Sequence, residues 1–354
     1  MTDNPGSDRQ QQLFLWVSDQ LNVLNLTDSS QLDIHKASDD ASFRRYFRAT
    51  VAEKSFIIMD APPDRENCRP FVQVETMMHA KGISVPDIYA VDLDQGFMLL
   101  TDFGQTDYLT ALESGKNTEV RDRLYDDALL SLLKIQQIDD CGQLPIYNEQ
   151  LLRQEMNLFR EWFLPKLLQL SISEEESALI DTVFGALVAN ALEQPLVLVH
   201  RDYHSRNLMY LENREDFDNP GILDFQDAVR GPVTYDLVSL LKDCYIRWPD
   251  DWVYARVADH HERLIDAGLL DSSVDRQIFE RWFDLMGLQR HIKVAGIFSR
   301  LKFRDGKERY LQDIPLVVNY ITRMLEKYDE FLRFNDWFKV RLVPAMKARG
   351  VKVL

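Results

Sequence analysis

Three side chains carry the chemistry available to this sequence: Asp202, Asn207 and Asp224. Asp202 and Asn207 lie in His200-Arg201-Asp202-Tyr203-His204-Ser205-Arg206-Asn207, directly after the apolar run Leu196 to Val199, which reads as a buried strand. Asp224 ends a second short apolar run, Gly221 to Leu223, and is followed by Phe225 and Gln226. A carboxylate at a strand end, an amide oxygen a few loop residues later and a second carboxylate from a neighbouring strand suit phosphoryl transfer. That reaction leaves a protein little covalent work: it must place a nucleophile in line, hold Mg²⁺ on phosphates and neutralise developing charge. In such an arrangement Asp202 orients and deprotonates an acceptor hydroxyl, while Asn207 and Asp224 offer hard oxygens to Mg²⁺. The three together are specific, whereas any one alone is weak. His200 reads as a brace of the loop, and Arg201 as a solvated residue.

The same residues carry a resemblance. His200-Arg201-Asp202 with Asn207 is the H-R-D-x-x-x-x-N loop of protein-kinase-type enzymes, and Asp224-Phe225 stands where these carry their metal turn, with Gln226 in place of glycine. Five stretches spread over most of the chain, DASFRRYFR (40–48), MDAPP (59–63), HRDYHSRNLM (200–209), GILDFQDAVRGPVTYDL (221–237) and QRHIKVAGIF (289–298), resemble the aminoglycoside phosphotransferase and choline kinase superfamily. Within it the nearer likeness is to bacterial sugar kinases that act on the anomeric hydroxyl of N-acetylmuramate and N-acetylglucosamine in cell-wall recycling. The resemblance implies an α+β, bilobal protein-kinase-like fold. Residues 1–101 are then an N-lobe with an antiparallel sheet and one or two helices. Residues 102–354 form a larger, mostly helical C-lobe with the catalytic loop and acceptor site. It also implies ATP and Mg²⁺ as cofactors, and makes Asp236 a brace under the catalytic loop.

Composition sets the outer bounds. A chain of 354 residues with formal charge -16 has ample core and is poorly suited to nucleic acid or membrane surfaces, which call for clustered Lys and Arg. Cys68, Cys141 and Cys244 are far apart, so neither a zinc site nor a disulfide framework is indicated. The polar amino terminus lacks a signal-peptide pattern, and no apolar run nears membrane-spanning length, which points to a cytoplasmic protein.

The remaining elements must position those groups. Periodicity predicts a helix over 11–26 with Leu13, Leu15, Trp16 and Leu21 on its apolar face, a turn at 38–42, and strands at 43–48, 54–60, 86–91 and 96–101. A helix over 69–80 follows the third strand, and helices dominate 105–138, 148–192, 235–247, 252–267, 276–301, 314–334 and 337–348. Thr101, Asp102 and Phe103 match the inter-lobe hinge, where adenine binds. Two departures from the family occur. The hairpin has no G-x-G-x-x-G, leaving Ser38, Ala41 and Ser42 to offer backbone N–H groups to phosphate. Met59 stands where a phosphate-binding lysine is usual, so Arg44 or Arg45 is expected to supply the charge. Glu75 takes the place of the glutamate that pairs with that lysine.

Acceptor residues are harder to read. His204, Gln226 and Asp227 lie close in sequence to the catalytic groups. Between Gln289 and Tyr310 a basic run includes Arg290 and Arg300, candidates for the lactyl carboxylate of N-acetylmuramate. His260 and His261 read as solvated surface. Two alternatives stay open: transfer to another hydroxyl, of an amino alcohol, an aminoglycoside or a protein, and a non-catalytic nucleotide-binding module. The oligomeric state is not legible.

Overall fold

Leu13, Val17 and Leu21, four residues apart, put one fully buried stripe on helix α1 (Pro5–Val23), and it packs on the face of a sheet formed by Phe47, Ala49, Val51, Phe56, Ile58, Phe97 and Leu99. Leu15, expected on that stripe, is exposed. Each such leucine contributes about 1.5–3 kcal/mol through burial. The computed structural model describes residues 5–25, 32–39, 43–51, 54–114, 118–211 and 218–353. The sheet is antiparallel, with β1 (Asp33–Asp39), β2 (Arg45–Val51), β3 (Lys54–Asp60), β4 (Ile88–Asp92) and β5 (Phe97–Thr101) in the order β1-β2-β3-β5-β4. β1 was not anticipated; it is an edge strand whose polar sequence shows little alternation. Of the expected phosphate-covering turn, Ala41 and Ser42 lie outside the described residues. Helix α2 (Arg69–His79) follows β3.

The chain packs as two units, Met1–Thr106 with Met209–Asp227, and Asp107–Leu208 with Ala228–Leu354. The first takes in a later segment that the linear division at residue 101 leaves out. Phe103, Met209, Leu211 and Leu223 form one apolar cluster, and the Phe225 ring lies 4.7 Å from Phe71 of α2.

The second unit is helical: α3 (Tyr108–Ser114), α4 (Thr118–Gln136), α5 (Glu149–Leu158), a π-helical stretch Phe159–Leu167, α6 (Glu174–Leu192), α7 (Tyr235–Leu241), α8 (Asp250–Asp266), α9 (Arg276–Phe303) and α10 (Ile314–Lys327), with the strands Leu196–Val199 and Val229–Pro232 paired antiparallel. The α+β class expected from the sequence is thus found. Helix α9 is its axis, buried on nearly every side. Gly296 is required there, because a Cβ would fall 2.4 Å from the backbone of Leu158. No described helix is long and apolar enough to cross a membrane.

His260 and His261 are not solvated. They continue the buried stripe Val253, Val257, Leu264 of α8, where His260 Nε2 meets Gln136 Oε1 at 2.9 Å and His261 Nε2 meets the Val274 carbonyl at 2.8 Å. Burial drives the His260 pKa down to about 3, so the ring is neutral. The helix expected over 235–247 stops at Leu241. There Lys242 turns inward to fully buried Asp284, which accepts from Lys242 Nζ at 2.7 Å, Tyr254 OH at 2.5 Å, Tyr328 OH at 2.8 Å and Lys327.

Burial raises the Asp284 pKa, but Lys242 and Lys327 outweigh it and hold the carboxyl below its ordinary range. A depressed carboxylate contributes stability that is present above its unfolded pKa, about 3.9, and lost as pH falls through the folded one. Asp284→Asn is therefore expected to destabilise the protein by about 3 kcal/mol at neutral pH and to flatten the stability decline below about pH 4. Urea unfolding across pH checks both; parallel acid limbs for variant and wild type would remove Asp284 from that decline.

Candidate active site

The buried strand Leu196–Val199 delivers His200, and the next residue turns into the left-handed region, Arg201 having φ 78°. A non-glycine residue stays there only when its surroundings fix it. Asp236, at the start of α7, does so: its carboxylate accepts from His200 N at 2.6 Å and Arg201 N at 3.0 Å. Burial still pushes this carboxyl up to about 7, against those two N–H groups. The His200 ring accepts from Asp202 N through Nδ1 at 3.2 Å. Asn207 donates Nδ2 to the Asp202 carbonyl at 2.9 Å, which turns its amide oxygen, the end a hard cation takes, away from that carbonyl. Asp243 holds the far side, accepting from Ser205 N at 3.0 Å and Ser205 Oγ at 2.5 Å.

Asp202 is 46% exposed and faces buried Arg290, whose Nη1 lies 3.7 Å from Oδ1. Low-dielectric surroundings raise its pKa, but Lys293, then Arg290, His204 and Arg201 reverse this and hold the carboxyl well below the carboxylate range. Arg290 and Lys293 are themselves fixed. Arg290 donates to the Arg201 carbonyl at 3.0 Å, and Lys293 to Tyr235 OH at 2.8 Å. Glu155 is the counter-ion, 3.1 Å from Lys293 and bonded to the Arg201 guanidinium and Tyr147 OH. Asp202 is thus an ionised, weak base at neutral pH. Such a group orients an acceptor hydroxyl and takes its proton as the bond to phosphorus forms.

In the first unit, Gly221 lies under the Phe103 ring, where a Cβ would come within 2.7 Å. Ile222 N donates to the Ser84 carbonyl at 2.7 Å, and the chain then enters the left-handed region at Asp224, φ 64°. Asp224 is exposed, and its Oδ1 accepts from buried Gln226 Nε2 at 2.6 Å. Asp227 is exposed. Thr101 is tied to Asp87, accepting from its N–H at 3.1 Å, and Asp102 accepts from Arg48 Nε and Nη2 at 2.5 and 2.9 Å. The Asp102 side chain is therefore engaged structurally.

Met59 is fully buried on β3, opposite Tyr46 and Met98. The two neighbouring arginines differ. Arg45 bonds buried Asp60 through Nε at 2.9 Å, beside Arg9 of α1 at 2.7 Å, and so ties the helix to the sheet. Arg44 is half-buried, 3.1 Å from Glu66, and lies in the fields of Asp224 and Asp227. Glu75 is buried and its pKa is raised, first by burial; His79, Thr76 and Asp87 act on it. The arginine–carboxylate pair here is Arg44–Glu66, and Glu66 carried no sequence signal.

The basic run at 289–310 is not one patch. Arg290 and Lys293 are buried and paired, His291 is buried with its pKa driven down to about 3, and Arg304 pairs with Asp305 at 2.8 Å. Arg290, expected at a substrate carboxylate, has its guanidinium engaged by the catalytic loop. Arg300 lies about 15 Å further along α9. His204 and Arg290 are brought together around Asp202; Gln226 and Asp227 belong to the other unit. Lys293 belonged to the basic run but was not placed beside Asp202; Glu155, Tyr147, Tyr235 and Asp243 were missed, and of these Tyr235 and Asp243 had a signal in their closeness to Asp236.

A catalytic loop of this form, an Asp-Phe turn after a second strand and a five-stranded antiparallel sheet define a kinase-like phosphotransferase. The chain belongs to the phosphotransferase enzyme family, whose model matches residues 33–269. It is 43% identical over 333 residues to the N-acetylmuramate/N-acetylglucosamine kinase of Pseudomonas putida, covering 93% of this chain and 95% of that protein. The corresponding figure for the enzyme of the same name from Pseudomonas aeruginosa is 42% over the same coverage. Among solved structures it is similar to the Plasmodium vivax ethanolamine kinase, with TM-score 0.58, 12% identity and coverage of 86% of this chain and 88% of that one.

Proposed function

We propose that this protein transfers the γ-phosphate of ATP to the anomeric hydroxyl of N-acetylmuramate or N-acetylglucosamine, in the cytoplasm, as part of peptidoglycan recycling. The reading is carried by the likeness to the Pseudomonas kinases, which extends over 93% of the chain. The site chemistry agrees with it. An anomeric hydroxyl is more acidic than an ordinary alcohol, so a carboxylate as weakly basic as Asp202 serves as its proton acceptor. Asn207 and Asp224 each carry a hard oxygen of the kind Mg²⁺ takes. When bound, Mg²⁺ neutralises phosphate charge. Arg44 takes the part of the absent lysine toward the phosphates, and Thr101 to Phe103 receive the adenine.

The two arginines separate in a test. Arg44→Ala is expected to raise the KM for ATP roughly tenfold, whereas Arg45→Ala loosens α1 from the sheet and lowers the melting temperature. An unchanged ATP KM in Arg44→Ala removes that residue from the phosphate site. The reading as a whole is tested by ADP release with Mg²⁺, ATP and a panel of free sugars and amino alcohols. Release dependent on the N-acetylated amino sugars supports it; release with choline or ethanolamine alone overturns it.

A further inference from the structure

Beyond the base, a second group of side chains in the helical unit remains without a role. His204 is buried, its Nδ1 has no hydrogen-bond partner, and its ring meets Tyr245 edge-on at 5.3 Å. Tyr245 carries Arg206 over its face at 3.7 Å and stacks toward Phe298 at 6.1 Å; Phe298 in turn meets Tyr310 at 5.3 Å. Arg206 approaches Asp313 only to 3.9 Å, outside hydrogen-bond distance, and the facing Asp313 Oδ2 is buried without a hydrogen bond. A buried carboxylate oxygen left unbonded costs about 1–3 kcal/mol or more, so a fold that keeps one beside a loosely held arginine keeps unused bonding capacity. His204 N donates to the Asp202 carbonyl at 3.0 Å, which joins this cluster directly to the base.

Sugars are bound by such sets. Aromatic faces cover the apolar C–H face of the ring, and planar carboxylate and guanidinium groups pair with neighbouring hydroxyls. We propose that Tyr245, Arg206, Asp313 and His204 form the acceptor subsite for an N-acetylated amino sugar, with Arg206 turning from Asp313 to the carboxylate when the sugar carries one. The assignment rests on the function proposed above and adds the discriminating residue. Arg206 replaces Arg290 and Arg300 as the partner of a lactyl carboxylate, because its charge is half-exposed and only loosely paired. Asp313 accepts from ring hydroxyls of either sugar.

The experiment measures KM and kcat for N-acetylmuramate and N-acetylglucosamine with wild type, Arg206→Gln, Arg206→Lys and Asp313→Asn. Circular dichroism confirms that each variant folds. Arg206→Gln is expected to raise the KM ratio of N-acetylmuramate to N-acetylglucosamine about tenfold or more, Arg206→Lys to restore part of it, and Asp313→Asn to raise both KM values about tenfold. Equal shifts for the two sugars in Arg206→Gln, or KM values unmoved in Asp313→Asn, overturn the subsite while wild-type turnover leaves the acceptor class standing. Wild type inactive on both sugars overturns the acceptor class and the subsite with it.

Discussion

Asp202→Asn is expected to lower kcat by roughly 10²–10⁴-fold, the range that a positioned general base supplies. The amide keeps the size of the carboxylate and its link to the loop, but cannot take the proton. The surrounding charges sharpen the expectation. Lys293 and Arg290 hold Asp202 ionised, and an uncharged side chain there leaves both buried cations with less compensation. The loss should therefore appear in the single-turnover rate constant of phosphoryl transfer as well as in the steady-state kcat. A variant within about tenfold of wild type would show that the acceptor proton leaves by another route.

The second large effect belongs to a residue that touches no reactant. Asp236→Ala removes the acceptor for His200 N and Arg201 N, leaving two buried donors unsatisfied at about 1–3 kcal/mol each. Arg201 then keeps the Arg290 bond to its carbonyl but loses the N–H bond that helps hold its left-handed backbone, and the placement of Asp202 and Asn207 loosens with it. We expect a melting temperature lower by several degrees and a kcat reduced roughly a hundredfold. Asp236→Asn keeps a carbonyl oxygen as acceptor and should recover part of both, consistent with a carboxyl already pushed toward its neutral form. If Asp236→Ala lowers the melting temperature alone and kcat is retained, the contact stabilises the fold without positioning the base.

The candidate loop 200–207 and its brace were legible in the sequence because their parts are local. Asp202 and Asn207 lie within one turn of chain after a run of apolar residues, and Asp236 starts the helix that follows. The charge network around the base was not, because Glu155 and Lys293 come from helices far apart in sequence and nothing local says that they pair. The same limit explains the basic run. Linear spacing placed Arg290 and Arg300 in one patch, whereas helix α9 buries the first and carries the second away. Arg44 and Arg45 were equivalent as neighbours on a strand; only Asp60 and Glu66, brought in by tertiary packing, tell them apart. Helix α8 shows the opposite case, since Val253, Val257, His260 and Leu264 follow the helical period and that signal already favoured burial over solvated histidines.

Transfer to the anomeric oxygen of an amino sugar can be read from the product itself. N-acetylglucosamine labelled with carbon-13 at C1 is incubated with the enzyme, Mg²⁺ and ATP, and the phosphorus spectrum of the product is recorded. A phosphate signal coupled to the labelled C1 is expected, and no product from the 1-O-methyl glycoside. A phosphate carried on C6, or equal turnover of the methyl glycoside, would contradict it.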